Sequence, residues 1–321
     1  MKGAGQKGLH RKVIREVDRL AARFCLRKKN FRLSDSLIIT SSSRSGSSWL
    51  MEILAAHPQI LVNWEPIHRD FGLVPKQLEL GWYPNIPADN EQAVYRELFQ
   101  SMLCGRSSNR WTAKYMRLNK CRQADFLLTK FVRANNLLPY FCEQFSFARP
   151  PIYLVRHPFA VAASQIKAFS RPSYKWPSRA IPRARFYEHY RQETDYLNSL
   201  ESDLEYAVAI WCLNNRQPMA YLAEYPSRLC RLFYEEIVLQ PHNTLVQLEK
   251  ALGFDFTSFL SEEQLRKASP TVVGDSLKRR PEEQLAKSLR NFSDQQLRAM
   301  QAVLDYFSVQ LYSANSTLPN Y

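Results

Sequence analysis

A serine-rich stretch with one arginine and one glycine occurs early in the chain, and its residue types suit an anion. Residues 41–48 read Ser-Ser-Ser-Arg-Ser-Gly-Ser-Ser and lie between a β-branched run at 37–40 and an apolar stretch at 49–56. The first pattern predicts a buried strand, and the second predicts a helix that ends before Pro58. A strand-to-helix turn directs backbone N–H groups and the positive helix end at one point, where they attract a phosphate. Ordinary turn formation is the alternative explanation for such a stretch.

Individual side chains in this loop support the same chemistry. Gly46 lets the backbone approach an anion closely, and Ser47 and Ser48 carry hydroxyl donors. Arg44 adds a fixed positive charge with a bidentate fork. The loop is not a Walker A motif, GxxxxGK[ST], because the cation precedes the glycine and no lysine follows it.

A second anion-binding unit is predicted around Arg156. The run at 152–155 predicts a buried strand, and Pro158 stands at the N1 position of a helix predicted over 159–169. Arg156 therefore lies at the carboxyl end of a strand, the edge at which ligands bind in open α/β sheets. Ser164 follows eight positions later, about two helical turns along. Two such units indicate a ligand with two phosphate groups held apart.

Three motifs in this order resemble the sulfotransferases that use 3′-phosphoadenosine 5′-phosphosulfate (PAPS). Residues 44–50, Arg-Ser-Gly-Ser-Ser-Trp-Leu, are similar to the family's 5′-phosphosulfate loop in the form shared with carbohydrate sulfotransferases. Arg156 and Ser164 match the family's 3′-phosphate pair in residue type and spacing. Residues 234–253 begin Tyr-Glu-Glu-Ile, contain Pro241 and end in Leu-Gly, like a late family motif. The resemblance covers residues 37–253 and implies a bacterial-type soluble or peripheral member.

The resemblance implies roles in binding the 5′ end of the nucleotide. The backbone amides and hydroxyls of the segment Ser45-Gly46-Ser47-Ser48 would hold the 5′-phosphate and the sulfuryl oxygens. Arg44 would bind there too and would act in catalysis, by neutralising charge on the bridging oxygen as the sulfuryl group leaves. Trp49 occupies the position whose ring stacks near adenine, with a core aromatic residue as the alternative.

The same resemblance assigns residues to the 3′-phosphate. Arg156 and Ser164 would bind this group, with a surface salt bridge as the alternative for Arg156. Tyr234 would touch the nucleotide unless it belongs to the core. A late basic loop would cover the 3′-phosphate, although its sequence lacks the Arg-Lys-Gly form of cytosolic members; its residues are Lys278, Arg279 and Arg280.

The general base is predicted to be Glu65. Cytosolic members that sulfate small phenols and steroids use a histidine in a Lys-x-His segment, and the corresponding stretch here is Lys114-Tyr115-Met116, in which methionine cannot accept a proton. Glu65 precedes Pro66 after the second predicted strand, where carbohydrate sulfotransferases carry a Glu-Pro pair. His68 is the second candidate. The six histidines are isolated from one another, so no catalytic metal is predicted.

The function implied is transfer of a sulfuryl group from PAPS to an acceptor hydroxyl on a saccharide, glycolipid or polysaccharide. Residues 170–190 are rich in Arg, Trp and Tyr and could form the acceptor wall. One alternative is a nucleotide-dependent kinase on an altered P-loop. Another is a non-catalytic basic protein that docks on a membrane.

Positive charge is concentrated at the start of the chain. The protein has 321 residues and a formal net charge of +14, and residues 1–33 alone hold eleven Lys or Arg against two acids, a net +9. This distribution predicts a basic extension at 1–33 and a sulfotransferase domain at 34–321, and it argues against nucleic acid as a partner.

Residues 10–29 are predicted to form one amphipathic helix. Its apolar positions share a face, and arginine recurs every fourth residue on another face; the apolar positions are Val13, Val17, Leu20 and Phe24. The helix could pack on the domain with a solvated basic face, or it could attach peripherally to an anionic membrane.

Strands and helices alternate along the rest of the chain. Strands are predicted at 37–40, 60–62, 152–155 and 229–233, and helices at 49–56, 91–103, 159–169, 207–224 and 244–252. This order predicts an α/β, P-loop-like three-layer fold with a central parallel sheet flanked by helices. Six scattered cysteines, the absence of a membrane-spanning apolar run and the lack of a signal peptide predict a cytoplasmic location.

Overall fold

The computed structural model describes residues 3–78, 80–169, 191–260 and 281–320. The predicted acceptor wall at 170–190 lies outside these ranges, as do Lys278, Arg279 and Arg280.

Five parallel strands form one sheet in the described part of the chain, with β1 at its centre. The order across the sheet is β2-β3-β1-β4-β5, and every neighbouring pair is parallel. The strands are β1 (Ser36–Ser41), β2 (Ile60–Trp64), β3 (Phe126–Phe131), β4 (Ile152–Val155) and β5 (Cys230–Phe233). Parallel neighbours require crossover connections, which bring helices onto the faces of the sheet. The predicted α/β class with a central parallel sheet is confirmed.

The described helices fall before, between and after these strands. They are α1 (Gly3–Lys29), α2 (Ser47–Leu54), α3 (Ala93–Leu103), α4 (Leu118–Gln123), α5 (Leu138–Gln144), α6 (Pro158–Phe169), α7 (Thr194–Ser199), α8 (Asp203–Glu224), α9 (Tyr234–Leu239), α10 (Pro241–Leu252), α11 (Pro281–Arg290) and α12 (Asp294–Tyr306). None of the helices in the described ranges is both long enough and apolar enough to cross a membrane.

Alternate residues of the central strands pack into different layers. Leu37 and Ile39 of β1 join a core formed with α2 and α10, whereas Ile38 joins a core formed with α3 and α5. In β4, Leu154 packs with the first of these cores and Tyr153 packs against α6 and α8. This two-residue alternation is what a sheet buried on both faces requires.

Several predicted helices begin earlier in the structure than in the sequence analysis. The helix predicted over 207–224 begins at Asp203, because Ser202 caps it. The side chain of Ser202 accepts from the backbone N–H of Glu205 (3.2 Å), and the carboxylate of Glu205 accepts from the backbone N–H of Ser202 (2.9 Å). This reciprocal capping box satisfies N–H groups that would otherwise have no partner.

Strand β3 was not predicted, although it lies next to the central strand. Its sequence is Phe-Leu-Leu-Thr-Lys-Phe, and Thr129 and Lys130 interrupt the apolar run. Both side chains are nevertheless buried, because each has a polar partner inside the protein. A local pattern does not reveal such partners, so the strand was missed.

Helix α1 packs on the domain, but not with its apolar stripe inward and its basic face solvated, as the first interpretation had it. Ala22 and Leu26 are buried against residues of the segment 113–127. The apolar stripe, by contrast, points away from the domain; its members are exposed by 53% (Val13), 60% (Val17), 50% (Leu20) and 65% (Phe24). The apolar face is thus the solvated one.

The C-terminal segment is fastened to the sheet next to β4. Two backbone carbonyls, those of Ser313 and Ser316, lie 3.2 and 3.1 Å from Nε2 of the buried His157. Nδ1 of the same ring accepts from the backbone N–H of Phe159, so the proton of the neutral ring lies on Nε2 and is donated to the carbonyls. Burial lowers the pKa of His157 to about 4, and the two carbonyl contacts only partly oppose this effect.

Acidification is therefore expected to destabilise the protein through His157. The unfolded state takes up a proton near pH 6.5 and the folded state only near pH 4, so stability is complete above this window and is lost as the pH falls through it. The loss should reach about 3 kcal/mol. Urea unfolding across the window should show a shallower acid decline in His157→Gln than in the wild type. Equal slopes in the two proteins would contradict this prediction.

Candidate active site

The loop between β1 and α2 has the backbone conformation of an anion-binding turn. Gly46 is the N-cap of α2 and has a φ of 91°, and Arg44, two residues earlier, has a φ of 71°. A Cβ on Gly46 would lie 2.5 Å from Cδ2 of Tyr234, so a larger residue does not fit there. The hydroxyl of Ser45 is buried and has no hydrogen-bond partner within the described ranges. A buried polar atom of this kind is energetically costly unless a ligand satisfies it.

The two predicted anion-binding units come together in the structure. Arg44 Nε donates to Ser164 Oγ at 3.1 Å, and Arg156 Nη1 donates to the backbone oxygen of Arg44 at 2.8 Å. The guanidinium of Arg156 lies 4.2 Å from the centre of the Tyr234 ring. Residues that are more than a hundred positions apart in sequence therefore form one cluster, which we call the arginine cluster: Arg44, Arg156, Ser164 and Tyr234.

The arginine cluster is strongly positive. Burial lowers the pKa of Arg44, and the positive charge of Arg156 contributes to the same effect. Nε of Arg156 is buried and has no hydrogen-bond partner among the residues that the structure describes. Two guanidinium groups at such close range repel one another, and an anion placed between them would relieve that repulsion.

Side-chain amides of α6 and α8 form hydrogen bonds to the loop between β1 and α2. Ser42 Oγ accepts from the side-chain amides of Asn214 at 3.4 Å and Asn215 at 3.2 Å, both on α8. Gln165 of α6 donates to the backbone oxygen of Ser43 at 2.9 Å. These residues were not predicted from the sequence, in which adjacent asparagines within an apolar helix were the available signal. They fix the position of the loop relative to both helices.

A carboxylate and a lysine form the second part of the site, at the ends of β2 and β3. Glu65 Oε1 accepts from Lys130 Nζ at 2.6 Å, and the side chains are only 12% and 2% exposed. Register explains the pairing, because Trp64 is directly opposite Lys130 in the two parallel strands. Glu65 has a φ of 39°, an uncommon backbone conformation that is often found at functional sites.

The lysine that contacts the predicted base is Lys130. Its ammonium group lies 4.0 Å from the centre of the Trp64 ring, and burial lowers its pKa while the charge of Glu65 opposes that effect. The ammonium group of Lys114 lies 4.9 Å from the centre of the same Trp64 ring. Met116 is completely buried. Lys130 was not among the predicted site residues, because β3 was not predicted.

The loop and the Glu65–Lys130 pair lie at one edge of the sheet. β1 and β3 are hydrogen-bonded neighbours with Ile39 opposite Lys130, so β1 ends two residues beyond the level of Lys130 and the loop follows from there. Adjacent strands are about 4.8 Å apart. The serine-rich loop after β1 and the buried carboxylate after β2 therefore lie at the same carboxyl edge, with β3 and its Lys130 between them; ligands bind at this edge in such sheets.

The two histidines near Glu65 in sequence have different surroundings. His57 follows α2 and packs against Phe254 and Phe259, with ring centres 5.2 and 4.9 Å away. His68 lies closer to the candidate base and packs edge-to-face against Trp111, with ring centres 4.7 Å apart. Burial lowers the pKa of His68, with a smaller contribution from a nearby arginine. His57 thus has a packing role.

A cleft of ≈ 400 Å³ has Trp111, a neighbour of Glu65, in its wall; its lining residues are Arg19, Phe71, Asn109, Arg110, Trp111 and Lys114. The indole N–H of Trp111 donates to the backbone oxygen of Glu65 at 3.2 Å, which connects the cleft wall to the candidate base. Aromatic faces and cations line the same space. Such a surface suits sugar rings that carry acidic groups.

The remaining predicted residues are placed as follows. Trp49 is partly buried on α2 and packs against the core on that side of the sheet. Tyr234 is partly buried beneath the loop. Within the described residues, no group of three or more His, Cys, Asp or Glu side chains could hold a metal ion.

Comparisons with known proteins give the family. A family model described as the sulfotransferase family matches residues 36–258. Among solved structures, the chain is similar to the sulfotransferase domain from the curacin biosynthetic pathway, with 20% identity, a TM-score of 0.44 and coverage of 86% of this chain and 98% of that chain. The sulfotransferase domain from the Synechococcus PCC 7002 olefin synthase shows 19% identity, a TM-score of 0.41 and coverage of 86% and 95%. The search of curated proteins found no match.

A third solved structure, a sulfotransferase from Alicyclobacillus acidocaldarius, shows 15% identity, a TM-score of 0.35 and coverage of 84% of this chain and 95% of that chain. The matched residues 36–258 make up more than half of the chain and include both the serine-rich loop and Arg156. The chain therefore belongs to the sulfotransferase family and is a transferase enzyme.

Proposed function

We propose that the protein transfers a sulfuryl group from PAPS to a hydroxyl group of a saccharide, glycolipid or polysaccharide. The observation that carries the proposal is the arginine cluster at the serine-rich loop after β1, at the same sheet edge as a buried carboxylate two strands away, after β2. Such a site combines two needs of the reaction: strong anion binding and removal of a proton from an attacking hydroxyl.

The residues present fit PAPS. The hydroxyl of Ser45 and Nε of Arg156 are buried polar atoms without partners in the described chain, as expected for groups that bind phosphate oxygens. The loop Ser45-Gly46-Ser47-Ser48 with Arg44 would hold the 5′ end, and Arg156 with Ser164 would hold the 3′-phosphate. Trp49 and Tyr234 would contact the nucleotide. When bound, PAPS supplies the sulfuryl group that is transferred.

Glu65 is the proposed general base. Its Oε1 is held by Lys130, and no described residue donates a hydrogen bond to Oε2, which leaves this oxygen for the acceptor hydroxyl. As the oxygen of the acceptor hydroxyl bonds to sulfur, the proton of that hydroxyl passes to the Glu65 carboxylate. Arg44 offsets the negative charge that develops on the leaving phosphate oxygen. Lys130 acts as a positioning residue for the carboxylate.

His68 is less suited to this role. Its Nδ1 accepts from the backbone N–H groups of Asp70 (3.2 Å) and Phe71 (3.3 Å), so the hydrogen of the neutral ring lies on Nε2. Burial keeps the ring neutral by lowering its pKa. Nε2 therefore has no lone pair for a proton from the acceptor, and the lone pair of Nδ1 is already used by the two backbone N–H groups.

The cleft beside Glu65 supports a sugar acceptor with negative charge. Trp111 and Phe71 supply aromatic faces, and Lys114 and Arg110 supply cations in the same space. A cytoplasmic location is part of the proposal, because all six cysteines are free thiols and the structure places five of them in the interior.

Thermal unfolding with adenosine 3′,5′-bisphosphate tests the proposal most directly. A ligand at 100 times its Kd stabilises a protein by about 2.7 kcal/mol, which should raise the Tm of a chain of this size by roughly 2–4 °C. ADP, and ATP with Mg²⁺, should give smaller shifts because they lack the 3′-phosphate. A shift with ATP and Mg²⁺ but none with the bisphosphate would overturn the proposal in favour of a kinase.

A further inference from the structure

Helix α1 exposes a continuous apolar stripe. Positions 13, 17, 20 and 24 are spaced by four, three and four residues, the spacing of one helical face. Each of these side chains is at least half exposed, and the neighbouring Ile14 is 53% exposed. Single exposed apolar residues are common on protein surfaces, but five on one helix form a patch that calls for a partner. We call this patch the α1 stripe: Val13, Ile14, Val17, Leu20 and Phe24.

The opposite face of α1 is attached to the domain, which fixes the direction of the stripe. Ala22 lies two residues from both Leu20 and Phe24, about half a turn around the helix, and it is completely buried. Arg23 donates to the backbone oxygen of Ser108 at 2.9 Å, and Lys29 donates to that of Ala124 at 2.7 Å. The stripe therefore points outward in a fixed orientation.

The charges on α1 indicate the chemistry of the partner. Both acids of the helix are turned toward the domain: Glu16 pairs with Arg110 at 3.1 Å, and Asp18 pairs with Arg117 at 3.7 Å. Arg15, Arg27 and Lys28 are exposed, and the last two flank the far end of the stripe. Residues 1–33 carry a net +9. The exposed surface of the helix is thus apolar and positively charged.

We propose that the α1 stripe docks on the surface of an anionic lipid bilayer. The helix would lie in the interface, with the stripe among the upper acyl chains and the cations at the lipid phosphates. A second copy of the chain fits less well, because two helices of the same positive charge would repel each other. Lipids of negative charge supply both the apolar contact and the opposite charge.

Docking would also bring the cleft close to the lipid. Arg19 of α1 lines the cleft, while the stripe lies on the other side of the same helix, whose diameter is about 10–12 Å. An acceptor sugar carried on a lipid headgroup would then lie within reach of Glu65. This consequence rests on the proposed function, whereas docking itself does not.

Sedimentation with vesicles tests the docking. The full-length protein should bind vesicles of phosphatidylcholine and phosphatidylglycerol in equal parts, and should bind pure phosphatidylcholine vesicles at least tenfold more weakly. Val17→Glu/Phe24→Glu should weaken binding to the mixed vesicles at least tenfold. Arg27→Gln/Lys28→Gln should weaken it less, and its remaining binding should be less sensitive to salt. The matched control is Val246→Glu, because Val246 is 49% exposed on α10, and it should bind like the wild type.

The outcomes separate docking from its competitors. Equal binding by the wild type and Val17→Glu/Phe24→Glu would overturn the proposal, as would no binding by the wild type. A dimer in analytical ultracentrifugation that this double variant dissolves would instead assign the stripe to a second copy. The change in Tm that adenosine 3′,5′-bisphosphate causes in the same variants measures nucleotide binding, independently of vesicle binding. Vesicle binding without such a shift would leave docking standing and remove the proposed function.

Discussion

Glu65→Gln is expected to lower the rate of sulfuryl transfer by about 10²–10⁴-fold. Glutamine has the shape of glutamate and can still accept a hydrogen bond from Lys130, but it cannot take a proton from the acceptor. Binding of adenosine 3′,5′-bisphosphate should remain nearly unchanged, because the arginine cluster is separate from this side chain. Transfer of labelled sulfate from PAPS to a panel of soluble saccharides gives the rate, and calorimetry gives the nucleotide affinity.

A change in folding must be separated from a change in chemistry. The substitution leaves Lys130 buried without a negative partner, which costs stability. The comparison should therefore be made at a temperature at which the variant is fully folded by circular dichroism. The control Glu283→Gln removes an exposed carboxylate on α11 and should retain full turnover. Wild-type turnover in a folded Glu65→Gln protein would remove Glu65 from the role of base.

Arg156→Ala is expected to weaken the binding of adenosine 3′,5′-bisphosphate by roughly 10- to 100-fold, the usual loss for a hydrogen-bonded charged partner. Its guanidinium carries a buried Nε without a partner in the described chain and lies on the Tyr234 ring. Because the predicted contact is with the 3′-phosphate, 5′-AMP should bind the wild type and the variant almost equally. The ratio of the two affinities, measured by calorimetry, is therefore the informative quantity.

A control variant at a second arginine distinguishes loss of a specific phosphate contact from loss of one positive charge. Arg231 lies on the neighbouring strand β5 and is exposed. Arg231→Ala removes the same charge and should change both affinities less than twofold. If Arg156→Ala weakened 5′-AMP and the bisphosphate by the same factor, Arg156 would bind another part of the nucleotide or would only support the loop through its bond to the Arg44 carbonyl.

The local sequence determined the elements whose signals are contiguous. The run at 37–40 and the serine-rich segment after it predicted a strand, a turn and a helix, and the structure contains them as β1 and α2. Arg156 was predicted at the carboxyl end of a strand, and it follows β4 directly. These predictions succeeded because hydrophobic periodicity and turn residues act over a few positions.

Tertiary structure alone decided which distant residues meet. The contact between Arg44 and Ser164 spans 120 positions, and no local pattern encodes it. The pairing of Glu65 with Lys130 depends on the register of β2 and β3, and a buried lysine in a strand is stable only when such a partner is present.

For helix α1 too, the local sequence determined one property and the tertiary structure decided another. Its sequence determined that the helix is amphipathic and basic, because periodicity is a local property. Which face packs on the domain was decided by contacts with residues more than eighty positions away, such as Ser108 and Ala124. In the described chain these contacts, together with burial of Ala22 and Leu26, leave the apolar stripe exposed. The sequence by itself therefore determined the family motifs and the local elements, whereas the base's lysine partner and the free apolar face required the three-dimensional structure.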